Sequence, residues 1–139
     1  ALENYIPENN RSQLLHKNGN EIILDAYNAN PSSMIAALTN FFQLEEKNKI
    51  AVLGDMFELG IESSEEHKKL IDFCINQTDS NFYFIGKDFF AHKSLNSNMH
   101  FYDTFETFKA AFTNQKIENS ILLIKGSRGM SLERTLELL

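Results

Sequence analysis

Two spacings of apolar residues alternate along this chain. Short unbroken runs, Glu21-Ile22-Ile23-Leu24-Asp25, Lys49-Ile50-Ala51-Val52-Leu53, Asn81-Phe82-Tyr83-Phe84-Ile85, Met99-His100-Phe101-Tyr102 and Ser120-Ile121-Leu122-Leu123-Ile124, are rich in β-branched and aromatic residues and read as strands. Between them the apolar residues return every three or four positions, as on one face of a helix. Met34, Ile35, Leu38, Phe41 and Phe42 predict a helix opened by Pro31 and reaching about residue 46. A second helix is expected from Ser63 or Ser64, either of which can cap it, to about Gln77, with Glu65 and Glu66 favourable in its first turn. A short helix follows over 88–94. Asp103 or Thr104 caps the next, which carries Phe105, Phe108 and Phe112, and a last helix from about Ser131 carries Leu132, Leu136 and Leu139. Ahead of all these, Gln13-Leu14-Leu15-His16-Lys17 pairs with the first run through Asn18-Gly19-Asn20, a hairpin signal. Near-continuous apolar strands alternating with helices are the pattern of a parallel sheet covered on both faces. The expected fold is a Rossmann-like three-layer α/β sandwich, with a mostly parallel sheet and one antiparallel strand from the N-terminal hairpin.

The bulk numbers narrow the class. With 139 residues, one domain with a core of its own is expected. A net charge of −6 argues against nonspecific binding to nucleic acid or anionic membranes. No stretch approaches the roughly 18 apolar residues of a membrane span, and a cytosolic chain is expected. The single cysteine, Cys74, excludes an intrachain disulfide, and the four histidines show no metal-ligand spacing. Cys74 falls among Ile71, Phe73 and Ile75 and reads as core, whereas His67, in a polar stretch, reads as a surface helix residue. Residues 1–11 are polar and irregular and read as a linker, so the chain is expected to be a fragment of a longer protein, with its domain at 12–139.

Candidate chemistry gathers at three strand ends: Asp25 to Asn30, Gly54 to Gly60, and Lys125 to Gly129. The carboxyl ends of parallel strands share one edge of the sheet, where ligands of α/β proteins bind. Asp25 is suited to accept hydrogen bonds from ribose hydroxyls, or is a turn acid. Asn28 and Asn30 are amides ahead of Pro31, and capping accounts for Asn30 more readily than for Asn28. Tyr27 is either a half-buried core aromatic or a stacking surface for a ligand. Asp55 can position a cation or an amine, or serve as a turn acid, and Glu58 reads as solvated surface. Lys125, Ser127 and Arg128 place two cations and a hydroxyl before a helix amino end, which suits an anion. A GxxxxGK[ST] phosphate loop, a GxGxxG and a nucleophile with His and acid partners are all missing from the sequence.

Taken together, Asn10-Arg11-Ser12, Asp25-Ala26-Tyr27-Asn28-Ala29-Asn30-Pro31-Ser32-Ser33-Met34, Val52-Leu53-Gly54-Asp55-Met56-Phe57-Glu58-Leu59-Gly60 and Lys125-Gly126-Ser127-Arg128-Gly129-Met130 resemble the carboxyl-terminal domain of the Mur ligases. The strings YNANP and GDMxELG resemble the MurF branch in particular. The resemblance covers nearly the whole chain. It implies the last domain of a three-domain, ATP-dependent amide ligase of peptidoglycan synthesis, joined through residues 1–11 to a central ATPase domain. That enzyme would use ATP and Mg²⁺ to add D-Ala-D-Ala to UDP-MurNAc-tripeptide, and a monomer is expected. By the same resemblance Arg11, Asp25, Tyr27, Asn28 and Asn30 face the nucleotide, and Asp55, Lys125, Ser127 and Arg128 face the acceptor. No catalytic residue or metal ligand is implied within this domain, and the fragment alone is expected to be inactive. The alternatives are a stand-alone flavodoxin- or receiver-like module without catalysis, for which Asp25 lacks an acidic neighbour, and a folylpolyglutamate synthase, which the YNANP string opposes.

Overall fold

A computed structural model describes residues 12–46 and 48–139. Its elements are β1 (Gln13–Lys17), β2 (Asn20–Asp25), α1 (Pro31–Phe42), β3 (Lys49–Gly54), α2 (Ser63–Cys74), β4 (Ser80–Ile85), α3 (Lys87–Phe90), β5 (Met99–Tyr102), α4 (Phe105–Phe112) and β6 (Ile121–Lys125). Short 3₁₀ turns occupy Gly60–Glu62, Arg128–Met130 and Leu132–Leu138. The six strands form one sheet in the order β1-β2-β6-β3-β4-β5. Among the described residues only the β1–β2 pair is antiparallel; the other four pairs are parallel.

Because side chains alternate across a strand, each apolar run feeds both faces of the sheet. Ile23, Ala51, Leu53, Phe82, Phe84 and Leu123 pack with α1, α2 and Phe89 of α3. Ile22, Leu24, Val52, Tyr83, Leu122 and Ile124 pack with the Phe105, Phe108 and Phe112 stripe of α4 and with Leu132. The expected three-layer sandwich is therefore present, and Cys74 is buried in the first layer, where burial pushes its thiol far up out of the reactive range.

Several boundaries differ from expectation for local reasons. α1 stops at Phe42 rather than near 46, and the buried Lys49 ammonium donates to the Phe42 carbonyl at 3.0 Å, capping the helix end. α2 receives no serine cap: the 3₁₀ turn Gly60–Glu62 runs straight into it, so the Ser63 N–H donates to the Gly60 carbonyl instead. It ends at Cys74 rather than Gln77, and α3 covers 87–90 rather than 88–94. The expected last helix is a 3₁₀ segment. Ser131 enters the left-handed region at φ 52°, and the Arg134 side chain takes the Ser131 and Met130 carbonyls at 2.9 and 2.8 Å.

Candidate functional site

All three strand-end clusters lie on the expected edge. Tyr27, Asn28, Ala29, Phe57, Glu58, Ser127, Arg128 and Gly129 line one open cavity of about 200 Å³. Tyr27 and Phe57 are 41% and 44% exposed, so both rings face outward at this edge rather than entering the core.

At the strand ends that carry these cavity-lining loops sits a buried ion pair. Asp25 and Lys125 are register partners on adjacent parallel strands, so their side chains leave the sheet side by side. Lys125 Nζ donates to Asp25 Oδ2 at 2.6 Å and to the Asn28 carbonyl at 3.0 Å, and both side chains are almost fully buried. Among the described residues, Asp25 Oδ1 is buried with no hydrogen-bond partner.

Asn30 does what its position predicts for a cap. Its side chain accepts the Ser33 N–H at 2.9 Å while the Ser33 hydroxyl accepts the Asn30 N–H at 3.1 Å, a reciprocal capping box at the start of α1. Asn30→Ala should therefore destabilise the domain by about 1 kcal/mol, read as a drop of a few degrees in the melting temperature of the intact protein. An unchanged melting temperature would reserve Asn30 for a ligand.

The second wall, residues 54–58, is tied at Asp55, Met56 and Phe57. The Asp55 carboxylate accepts the Asp88 and Phe89 N–H groups at 2.9 and 3.0 Å, capping α3. Burial pushes the Asp55 carboxyl above its ordinary value, opposed by these two bonds. The Met56 N–H donates to His67 Nε2 at 2.9 Å, and the Phe57 N–H donates to Ser127 Oγ at 2.8 Å. Ser127 returns its own N–H to the Asp55 carbonyl at 3.2 Å, joining this loop to the third cluster. Gly129 lies so close under Phe57 that a Cβ there would come within 2.6 Å of the ring.

His67 corrects a sequence expectation. It is fully buried, stacked edge-on against Phe89 with ring centroids 4.6 Å apart. Its Nδ1 lies 2.7 Å from the Ser63 carbonyl, which can only accept, so the proton sits there and Nε2 is left to accept from Met56. The signal was present: His67, Leu70, Ile71 and Cys74 fall at i, i+3, i+4 and i+7, one helix face, and all are buried. Asp55, His67 and Asp88 bring three potential metal-ligand atoms within 4.8 Å. Both nitrogens of His67 and both Asp55 oxygens are already engaged, and Mg²⁺ prefers an all-oxygen shell, so this group does not fit it.

The candidates thus divide. Tyr27, Asn28, Ser127 and Arg128 meet around the cavity. Asp25 and Lys125, at the ends of their strands, lie buried in their ion pair and do not line the cavity, while Asn30 and Asp55 direct their side chains to helix starts. Arg11 lies outside the described residues.

The family model for the Mur ligase, glutamate ligase domain matches residues 10–128. This chain belongs to that family. Among curated relatives of this Mur ligase domain, the UDP-N-acetylmuramoyl-tripeptide–D-alanyl-D-alanine ligase of Bacillus subtilis is 34% identical over 126 residues, covering 83% of this chain and 27% of the relative. The enzyme of the same description from Rickettsia prowazekii is 28% identical over 130 residues, covering 91% of this chain and 29% of the relative. Among solved structures, MurF ligase from Thermotoga maritima in complex with ADP superposes with a TM-score of 0.75 at 27% identity, over 92% of this chain and 30% of that one. A MurF structure from Acinetobacter baumannii gives 0.77 at 28% identity, over 98% and 31%. This Mur ligase domain therefore spans less than a third of the length of these relatives. Among the described residues no helix is long and apolar enough to cross a membrane.

Proposed function

We propose that this chain is the nucleotide- and acceptor-binding domain of an ATP-dependent ligase that adds D-Ala-D-Ala to UDP-MurNAc-tripeptide in bacterial cell-wall synthesis. The observation that carries the reading is the meeting of the three clusters, 25–30, 54–60 and 125–129, around one small cavity in a chain of this family. The wider protein's ATP use, cytoplasmic location and part in cell shape and division follow from the same reading, with a monomer as the working state.

The reaction joins a carboxylate to an amine. ATP transfers its γ-phosphoryl group to the terminal carboxylate of the tripeptide, giving an acyl phosphate and ADP. The dipeptide amine then attacks the acyl carbon, a C–N bond forms, and the tetrahedral intermediate collapses. The C–O bond to phosphate breaks, inorganic phosphate leaves, and the amine gives up a proton. Mg²⁺ would neutralise the transferring phosphates when bound; no residue cluster described in this domain fits it, and its ligands are assigned to the rest of the enzyme.

This domain's own residues bind, orient and exclude water. Asp25 takes ribose hydroxyls, with Arg11 and the Tyr27-to-Asn30 loop beside the nucleotide. Arg128, exposed on the cavity wall, offers a bidentate partner to the dipeptide carboxylate, and the Ser127 O–H can donate nearby. Asp55 and His67 hold the loop that carries Phe57 and Glu58. An acyl phosphate is readily hydrolysed, so a wall brought in by a separate domain also keeps water away from it.

The test is phosphate release by the intact protein. Release should require ATP, UDP-MurNAc-tripeptide and D-Ala-D-Ala together. Nucleotide binding without dipeptide-dependent release would favour the non-catalytic module. Within the active enzyme, Arg128→Ala should raise the dipeptide KM about tenfold or more, through loss of a charge-assisted contact, with the ATP KM changed much less. Equal rises in both would make Arg128 a closure element instead. Because Arg also packs through its stem, the variant's melting temperature is measured alongside.

A further inference from the structure

We propose that Lys125 is a positioning residue for the nucleotide side of the site: it fixes Asp25 and the Asn28 carbonyl so that one carboxylate oxygen, Oδ1, is left for a hydroxyl-bearing ligand. This rests on the function proposed above. It also reassigns Lys125, which the resemblance places among the acceptor-facing residues.

The geometry carries the assignment. The Lys125 side chain is 1% exposed, and its ammonium is engaged at 2.6 Å by Asp25 Oδ2 and at 3.0 Å by the Asn28 carbonyl. An acceptor carboxylate would have to displace both to reach Nζ. Arg128, by contrast, stands exposed on the cavity wall. The two chemically similar cations three residues apart therefore have different tasks, set by the strand end between them.

Two further features give the ammonium its function. First, strand register alone brings Lys125 beside Asp25, so that bond is fixed by the sheet and not by the loops. The bond to Asn28 then ties a cavity-lining loop to the same rigid point. One side chain thereby sets the carboxylate rotamer and the loop path together, which is how a site is preorganised on a scaffold. Second, the pair is asymmetric. Oδ2 is held, whereas Oδ1, equally buried, has no partner among the described residues. Buried acceptors are rarely left so, and one beside a ligand loop is the expected place for a ligand donor. A carboxylate free to rotate would offer either oxygen at any angle; a clamped one offers Oδ1 alone, in one fixed orientation.

The test uses the full-length enzyme. In Lys125→Gln the charge and about one bond of reach are lost, while an amide can still fill the space. The ATP KM and the Kd for ADP, measured by calorimetry, should rise about tenfold or more, with the dipeptide KM within about twofold of wild type. Lys125→Arg, which keeps the charge, should recover most of the loss, and it serves as the informative variant if the glutamine form does not fold. Coupling separates positioning from mere support. In an Asp25→Asn background, Lys125→Gln should add little further to the ATP KM, because Lys125 acts through Asp25. A rise in the dipeptide KM with ATP unaffected would restore Lys125 to the acceptor and overturn the proposal. Additive effects of the two substitutions on the ATP KM would overturn it as well. If the wild-type enzyme shows no ATP-dependent ligation, the functional reading itself fails and this role with it; if wild type ligates and only the variant pattern disagrees, only this role fails.

Discussion

Gly86→Ala should abolish stable folding or lower the melting temperature of the domain by about 15 °C or more. Gly86 lies between β4 and α3 at φ 125°, where an L side chain is strained by about 1–3 kcal/mol. A Cβ there would also fall 2.2 Å from Asp55 Cγ and 2.4 and 2.5 Å from its two oxygens. The carboxylate could escape only by giving up the Asp88 and Phe89 N–H groups, losing charge-assisted bonds in a buried place. Strain and lost caps together reach about 4–6 kcal/mol, much of the roughly 5–15 kcal/mol that holds a domain folded. Urea and thermal unfolding of the intact protein measure it. A shift of only a few degrees would show that Asp55 is free to move aside, and that the 54–58 wall does not depend on it.

Asp25→Ala should be nearly as damaging, and in two separable ways. With the carboxylate gone, the Lys125 ammonium is left buried with only the Asn28 carbonyl and no counter-charge, a loss of about 3–5 kcal/mol. The paired replacement Asp25→Leu with Lys125→Met removes both charges and should regain most of that stability. Its ligand defect should remain, because the ribose partner is still missing. In the folded forms the ATP KM should rise between about 10- and 100-fold, the worth of a charge-assisted hydrogen bond, while the dipeptide KM moves far less. A double variant that regained both stability and normal ATP dependence would make Asp25 a structural ion-pair partner only.

The architecture was legible because the apolar runs are short, nearly continuous and regularly punctuated, which leaves few sheets other than a parallel one. Asn30 and Thr104 were legible as caps because capping is local, decided within three residues. The meeting of the three clusters followed from strand direction alone. The partners of each side chain were not legible in that way. Asp25 and Lys125 stand 100 residues apart, and only the register of β2 on β6 pairs them. The capping of α3 by Asp55 was not legible, because nothing in the sequence announces that α3 starts beside it, 33 residues later. His67 was obscured by the charged residues around it, although its helical face was apolar. The 3₁₀ ending escaped because Leu132, Leu136 and Leu139 suit an α-helix equally well, and the left-handed Ser131 that breaks the run carries no mark of its own.

The strand order has a consequence for how this domain comes into being on the ribosome. β2 and β3 never touch as neighbours; each is hydrogen-bonded to β6, the last strand of the sheet to be synthesised. Until residues 121–125 emerge, the nascent chain holds a hairpin and a three-stranded unit with two unpaired inner edges and no bond between them. Those edges are the apolar, aggregation-prone kind that completed sheets conceal. Lys125, which gathers Asp25 and the loop after it, arrives in the same final stroke. The two halves of the ligand edge can therefore be joined only after β6 has been made, and a chain truncated before it would hold a sheet split between β2 and β3.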